Sequence, residues 1–279
     1  MMAGRPNVRL DLSNSPENVS LVREMLTGVA EGVDLDDNDL HDIRTAVTEA
    51  CNNVALHAYE GADGPMEVEV YAWPSVIEVV VRDHGTGIQP RIRTAEDHAL
   101  GIGLHVIQAL AQRVQFSDTT GEGTEVRMEF AATGIRAPGS PGKDGMEPLV
   151  TGAELRSTMW ASISPAALAR TVLPRLLSTL AARASFSTDR ISDAQLVADA
   201  LVAHAPRSPA PSRLSVAVGV EPRNLELYVG PLDAGGAQQM LSDSAVDGIG
   251  AVIEQLTDDY RVATTDSSEM LALRLSDPR

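Results

Sequence analysis

Hydrophobic and polar positions follow two different periods along the first half of this 279-residue chain. In residues 39–58, apolar side chains recur every three to four positions, which predicts a helix with one face against a core. Other segments alternate in polarity or are rich in β-branched residues, which predicts strands. These strand segments are residues 7–12, 66–72, 76–82, 114–116 and 124–130.

Two more helices complete the predicted order of the first half. Residues 15–30 begin with Ser15 and Pro16, and we expect the serine to cap the helix and the proline to occupy its first turn. Residues 104–113 form the third predicted helix, directly after a glycine-rich segment. The first half therefore runs strand, helix, helix, hairpin, loop, helix, hairpin.

A segment rich in Gly and Pro, residues 134–150, has no apolar period and is interpreted as a linker. It separates a predicted domain at residues 1–133 from a second one at residues 151–279. The fold class expected from this pattern is α+β, with helices packed on a sheet in each domain.

The second domain repeats the element order of the first. Ser164-Pro165 precedes a predicted helix as Ser15-Pro16 does, and VDGIGAVIEQL at 246–256 parallels ALGIGLHVIQAL at 99–110. We therefore predict a divergent tandem duplication. The alternative is an unrelated α/β domain that shares common elements.

Beside the apolar stripe of residues 39–58 runs a polar ridge at intervals of four, formed by Glu49, Asn53 and His57. Asparagine is a mediocre helix former, so an asparagine at the edge of a core suggests that the residue has a function. Asn53 lies on the Glu49 side of the helix, whereas Asn52 points about 100° further away. For His57, a hydrogen-bonded histidine at a helix end is the favoured interpretation.

Three further motifs follow the ridge along the chain. Asp83 ends an apolar strand and is followed by Gly85 and Gly87; Gly101 and Gly103 directly precede the third predicted helix; Thr124 opens the last strand. Taken singly, each motif also fits a turn, a loop or a solvated helix edge. Their order and spacing together favour a nucleotide site.

Each residue type has a physical use in such a site. The Asp83 carboxylate can accept hydrogens from an adenine amino group, and the glycines beside it let the backbone approach the base. The glycines before the third helix are expected to leave amides at a helix N-terminus free for phosphates. A neutral oxygen such as that of Asn53 suits Mg²⁺ already neutralised by phosphates, and Glu49 can act as a base.

Residues 6–131 resemble the ATPase domain of the gyrase, histidine-kinase and MutL superfamily. Within it they are most similar to the anti-sigma-factor serine kinases, through the EACNNVALHAYEG helix with its Glu, Asn, His and Tyr in order. The resemblance implies the two-layer α/β sandwich of the histidine-kinase-like (Bergerat) type, here duplicated in tandem. It also implies ATP and Mg²⁺ as cofactors.

By this resemblance Glu49 is the general base, Asn53 the Mg²⁺ ligand and Asp83 the adenine-binding residue. The nucleotide contacts it implies are Gly85, Gly87, Gly101, Gly103, Leu104 and Thr124. Proteins of this family bind a sigma factor and phosphorylate a Ser or Thr of a small anti-anti-sigma protein of the STAS type. An ATP-dependent serine/threonine kinase that is also an anti-sigma factor is the leading hypothesis.

Two other functions stay open. One is an anti-sigma or adaptor protein that holds ATP without transferring phosphate, because the lid, residues 88–100, is shorter than in family members with a full lid. Arg91 and Arg93 in that lid can still reach a γ-phosphate. The other is a sensor histidine kinase or a gyrase-like ATPase. It is the weakest of the three hypotheses, because only roughly 35 residues precede the Glu/Asn helix.

Composition sets the remaining limits. The formal net charge of −17 argues against nucleic acid or an anionic membrane as the main partner. A single cysteine, Cys51, the lack of a signal peptide and the lack of an 18-residue apolar run predict a cytoplasmic protein. Lys143 is the only lysine, which excludes a lysine-dependent phosphate loop.

If the halves are homologous, the second domain lacks the candidate nucleotide-site residues of the first. Its helix is expected to carry Ala, Leu and Val where Glu49 and Asn53 stand, and Pro231 falls near the place of Asp83. Gly248 and Gly250 persist from the glycine motif. We predict a degenerate domain without nucleotide, which either serves as a built-in partner in an intramolecular pseudo-dimer or homodimer, or acts as a sensor or docking module.

Overall fold

A computed structural model describes most of the chain, in nine stretches. These are residues 5–85, 98–118, 123–136, 138, 159–203, 213–243, 245–246, 250–264 and 268–278. The chain divides into two compact units, Met1–Pro138 and Gly139–Arg279. This division falls inside the predicted linker, most of which lies outside the described residues. None of the helices in the described stretches has the length and apolar character needed to cross a bilayer.

The first unit is α+β, with an antiparallel sheet of five strands in the order β1-β2-β3-β5-β4. Its strands are β1 (Val8–Ser13), β2 (Pro65–Trp73), β3 (Val76–Asp83), β4 (Arg113–Asp118) and β5 (Thr124–Ala131). Its helices are α1 (Val19–Val33), α2 (Asp37–Asn53) and α3 (His98–Leu110), with a 3-10 turn at Pro16–Asn18 and a π-helical turn at Val54–Ala58.

One face of this sheet is apolar and packs on the helices. Cross-strand partners such as Leu10, Val68 and Val81 line up on it and are buried, because alternate residues of a strand point to the same side. The stripe predicted on α2 supplies the opposing surface, and its members Ile43, Ala46, Val47 and Ala50 are all buried. This packing fixes which edge of α2 is left for the polar ridge.

The opposite face of the sheet carries a network of ion pairs. Arg82 lies 2.8 Å from the buried carboxylate of Glu69 and 2.6 Å from Glu125, and Arg127 binds both Glu125 and Glu78. Arginine suits such sites because its planar guanidinium donates several hydrogen bonds at once. Burial opposes the ionisation of Glu125, but Arg82 and Arg127 outweigh it and lower the pKa of this carboxyl.

The bounds of all three predicted helices of the first unit differ from those in the structure. The Ser15 side chain makes no capping hydrogen bond, and a 3-10 turn precedes α1. α2 begins at Asp37, where the Asp36 carboxylate accepts from the Asn38 amide, and ends at Asn53 instead of Ala58. α3 begins at His98, so that Gly101 and Gly103 lie inside the helix and do not precede it.

The second unit is also α+β, and its strand order β6-β7-β8-β12-β11 matches that of the first unit. Its main strands are β6 (Met159–Ile163), β7 (Leu214–Glu221), β8 (Asn224–Leu232), β11 (Asp259–Thr264) and β12 (Glu269–Ser276). Its helices are α4 (Ala169–Arg183), α5 (Thr188–Ala203), α6 (Gly236–Asp243) and α7 (Val252–Leu256), with a 3-10 turn at Ala166–Leu168. A two-stranded ribbon joins β9 (Ala245–Val246) and β10 (Gly250–Ala251).

The glycine motif of the second unit departs from its prediction. Gly248 lies outside the described residues, and Gly250 belongs to the short strand β10. α7 has only five residues, whereas α3 of the first unit has thirteen. The parallel between residues 99–110 and 246–256 therefore holds in sequence but does not give the same helix.

Candidate functional site

Two polar residues of the ridge share one side of α2, near its carboxyl end. Glu49 and Asn53 are both half-buried, and neither side chain makes a hydrogen bond or ion pair with the described part of the chain. A methyl group added to Gly103 would lie 3.0 Å from Glu49 Oε2 and 3.9 Å from Asn53 Oδ1. The structure thus brings Glu49, Asn53 and Gly103 together, and α3 approaches α2 closely because position 103 has no side chain.

The helix changes its winding directly after Asn53. The π-helical turn Val54–Ala58 replaces the last turn of the predicted helix. π-turns inside or at the end of helices are rare and are often found at functional sites. His57 in this turn is exposed and makes no hydrogen bond with the described residues, so the favoured interpretation of a hydrogen-bonded histidine is wrong.

Asp83, the last residue of β3, has one carboxylate oxygen fixed by the backbone. Its Oδ1 accepts a hydrogen bond of 2.9 Å from the Gly85 amide and one of 3.2 Å from the Thr124 amide. Within the described residues, Oδ2 has no hydrogen-bond partner. The residue is buried, with 7% of its surface exposed, so a free acceptor is held in a fixed direction.

Glycine is required at two positions around this carboxylate. A Cβ at Gly85 would lie 2.0 Å from the Ala58 carbonyl oxygen, and a Cβ at Gly123 would lie 1.9 Å from the Asp83 carbonyl oxygen. Gly123 also has a φ of +111°, which favours glycine. These close approaches join the loop after Asp83 to the turn after Asn53 and to the start of β5.

The remaining predicted contacts are only partly within the described residues. Gly87 and the lid up to residue 97 lie outside them, including Arg91 and Arg93. Gly101 is in α3, and Leu104, one residue beyond Gly103, exposes 36% of its surface. Because α3 starts at His98, the amides left free at its N-terminus precede Gly101, so the anion site expected at Gly101 and Gly103 is not formed there.

Two ionisable groups near the site are held neutral. Burial raises the pKa of the Cys51 thiol to about 12, which agrees with a packing role for this residue. Burial also raises the pKa of the Tyr59 hydroxyl, and the nearby Asp83 and Glu67 carboxylates add to the shift. Among the described residues, no group of three His, Cys, Asp or Glu side chains is arranged to hold a metal ion.

Sequence reasoning missed two residues that build the site. Gly123 received no role in the site from the sequence, although its backbone lies against the Asp83 carbonyl and the next residue, Thr124, binds the Asp83 carboxylate. Tyr59 entered only through the family resemblance, yet its hydroxyl accepts a hydrogen bond of 2.8 Å from the amide of His84, next to Asp83. A glycine directly before a strand-opening threonine was the available signal for the first.

The fold, with its helix ridge, strand-end carboxylate and glycine turns, is that of a histidine kinase-like ATPase domain. The sequence profile of the histidine kinase-like ATPase domain matches residues 12–130. The chain belongs to the histidine kinase-like ATPase family.

Several named proteins are similar in sequence to part of this chain. The chain is 31% identical over 129 residues to a protein named anti-sigma F factor from Caldanaerobacter subterraneus, with 43% of this chain and 90% of that protein aligned. It is 28% identical over 129 residues to serine-protein kinase RsbW of Bacillus pumilus (41% and 80% aligned), and 32% identical over 121 residues to that of Listeria innocua (39% and 77% aligned). The alignments cover less than half of this chain.

Proposed function

We propose that the chain is an ATP-dependent serine/threonine protein kinase that also acts as an anti-sigma factor. The observation that carries the proposal is that the Glu49 carboxylate and the Asn53 amide oxygen both lie near Gly103 and have no hydrogen-bond or ion-pair partner among the described residues. Polar groups in the packed parts of a fold are nearly always hydrogen-bonded, so partly buried oxygens without a partner in the described residues are candidates for contacts to a ligand. The relatives named anti-sigma F factor and RsbW supply the class of reaction and partner.

The residues of the site fit an adenine nucleotide with its metal. The free Oδ2 of Asp83 would accept the adenine amino group, since Oδ1 is already occupied by two amides. The Asn53 amide oxygen would bind Mg²⁺, with further oxygens from phosphate and water, because Mg²⁺ rarely takes all its ligands from protein. Bound Mg²⁺ would neutralise charge on the phosphates.

Glu49 supplies the base in this proposal. The hydroxyl oxygen of a Ser or Thr in the antagonist forms a bond to the γ-phosphorus, the bond from that phosphorus to ADP breaks, and Glu49 accepts the hydroxyl proton. The Glu49 carboxylate is half-buried and free of ion pairs with the described residues, so nothing in those segments competes for this proton.

We further propose that the second unit is a degenerate copy of the first. Both units have an αL residue after their first helix, Asp34 at φ +57° and Ser185 at φ +61°. In both, the residue that follows donates to a carbonyl of that helix, Leu35 to Ala30 and Phe186 to Ala181. Identical strand order and this shared turn support duplication.

Counting from matched turns aligns the sites of the two units. The β2–β3 hairpin closes at Val76 and the β7–β8 hairpin at Asn224, and seven residues further on lie Asp83 and Pro231. Fifteen residues after Asp34 lies Glu49, whereas fifteen after Ser185 lies Ala200. The same count pairs Asn53 with His204, which lies outside the described residues, so the expectation of Ala, Leu or Val at this place stays a prediction.

The second unit has a carboxylate at the start of the strand that corresponds to β5. Glu269 is the first residue of β12, as Thr124 is the first of β5, and each strand has eight residues. Its Oε1 and Oε2 accept from the Gly235 and Ala237 amides, at 2.9 and 3.0 Å. The proline in place of Asp83 removes the acceptor proposed for the adenine amino group, and the Glu269 carboxylate would repel the phosphates of a nucleotide. Both features support a single ATP per chain.

A phosphate-transfer assay tests the kinase. The purified chain is incubated with ATP labelled at the γ-phosphate, Mg²⁺ and a small anti-anti-sigma protein of the STAS type from the same organism. We expect label on a Ser or Thr of that protein and, separately, co-purification of a sigma factor with the chain. Sigma binding and ATP binding without any labelled antagonist would favour the non-catalytic adaptor. Absence of both activities would contradict the proposal.

A further inference from the structure

The hydroxyl of Tyr59 links the turn between α2 and β2 to the loop after β3 by a hydrogen bond. The Tyr59 hydroxyl accepts a hydrogen bond of 2.8 Å from the His84 amide and donates one to the Pro65 carbonyl oxygen. His84 stands between Asp83 and Gly85, the residue whose amide holds the Asp83 carboxylate. The hydroxyl therefore acts on the backbone that directs Asp83.

The ring of Tyr59 is itself held in place from the other side. Gly64 lies directly under the ring, since a Cβ at this position would lie 2.2 Å from Tyr59 Cε1. The Gly64 amide donates to Asn14 Oδ1 at 3.0 Å, and Asn14 Nδ2 donates to the Ala62 carbonyl at 3.1 Å. Asn14 is only 7% exposed, so the loop that carries Tyr59 rests on a buried amide.

We propose that Tyr59 is a positioning residue that sets adenine selectivity by fixing the His84 amide and thereby the direction of the Asp83 carboxylate. This inference rests on the proposed function, in which Asp83 binds the adenine amino group. The ligand class it concerns is a nucleoside triphosphate with an exocyclic amine on the base. The hydroxyl stays protonated at neutral pH, as its donation to Pro65 requires, because burial and the neighbouring carboxylates raise its pKa.

The variant Tyr59→Phe tests the inference, because it removes the hydroxyl and leaves the ring on Gly64. Binding of ATP and of purine riboside triphosphate, which lacks the exocyclic amine, is measured by calorimetry on the full chain with Mg²⁺. We expect the affinity for ATP to fall about fivefold to tenfold, the loss of roughly one hydrogen bond. The affinity for purine riboside triphosphate should change little. The ratio of the two affinities, which measures the preference for ATP, should therefore fall.

Tyr71→Phe is the matched control. The Tyr71 hydroxyl donates to Glu69 at 2.9 Å on the charged face of the sheet, away from the site. This variant should keep the affinities of the unaltered chain for both nucleotides.

Gly64→Ala is a second test variant. The added methyl group displaces the ring of Tyr59 but keeps its hydroxyl, so the preference for ATP over purine riboside triphosphate should fall as it does in Tyr59→Phe.

The outcomes separate this inference from the proposed function. An unaltered chain that binds no ATP overturns the proposed function and the inference together. ATP binding by the unaltered chain, with an unchanged preference in both Tyr59→Phe and Gly64→Ala, overturns the inference alone. An equal loss of affinity for both nucleotides also overturns it, because it would indicate general loosening of the site.

Discussion

Replacing Glu49 by Gln is expected to lower the rate of phosphate transfer about 10²- to 10⁴-fold, the usual contribution of a general base. The amide has the same shape but cannot accept the hydroxyl proton of the substrate. Glu49 Oε2 lies close to Gly103 and makes no hydrogen bond or ion pair with the described residues, so the change removes no ion pair there. Folding and ATP affinity should therefore stay close to those of the unaltered chain.

The measurement is a single-turnover assay of label transfer at saturating ATP, paired with calorimetry for nucleotide affinity. Glu129→Gln is the matched control, since Glu129 pairs with the exposed Arg113 at 3.8 Å on the charged face of the sheet. It should transfer phosphate at the normal rate. Normal transfer in Glu49→Gln would remove Glu49 from its proposed role.

The second large effect is expected at Asp83. In Asp83→Asn, the amide oxygen can still accept from the Gly85 and Thr124 amides, which leaves the amide nitrogen pointing where Oδ2 was. A donor then faces the adenine amino group, itself a donor. Loss of a charge-assisted hydrogen bond costs about 1.5–3 kcal/mol and leaves a buried donor unpaired, so we expect ATP affinity to fall about a hundredfold.

Direct titration of ATP into Asp83→Asn checks this expectation, with thermal unfolding as a test of the fold. Asp259→Asn is the control, because Asp259 is an exposed residue of the second unit paired with Arg261 at 3.1 Å. Its ATP affinity should be unchanged. Undiminished ATP binding by a folded Asp83→Asn protein would show that the base is bound elsewhere or not read by this carboxylate.

The parts of the site that follow from local periodicity were predictable. The apolar stripe of α2 fixed its buried face and hence the side on which Glu49 and Asn53 stand. The apolar run of β3 followed by a glycine-containing turn likewise placed Asp83 at a strand end. Each of these features depends on neighbours within one or two turns of chain, which a sequence pattern records directly.

Features that depend on distant contacts were not predictable in the same way. The Thr124 amide that holds Asp83 is 41 residues away in sequence, and the His84 amide is 25 residues from Tyr59. The early start of α3 was missed because two glycines looked like a helix boundary. Each costs a helix only about 1 kcal/mol relative to alanine, which packing against α2 can offset.

We propose one nucleotide site per chain, built by Glu49, Asn53 and Asp83 in the first unit. Isothermal titration of the full chain with ATP, with Mg²⁺ present and then with Mg²⁺ chelated, tests it most directly. We predict saturation at one ATP per chain with Mg²⁺ and much weaker binding without it. Two equivalent sites per chain, or no magnesium-dependent binding at all, would contradict the claim.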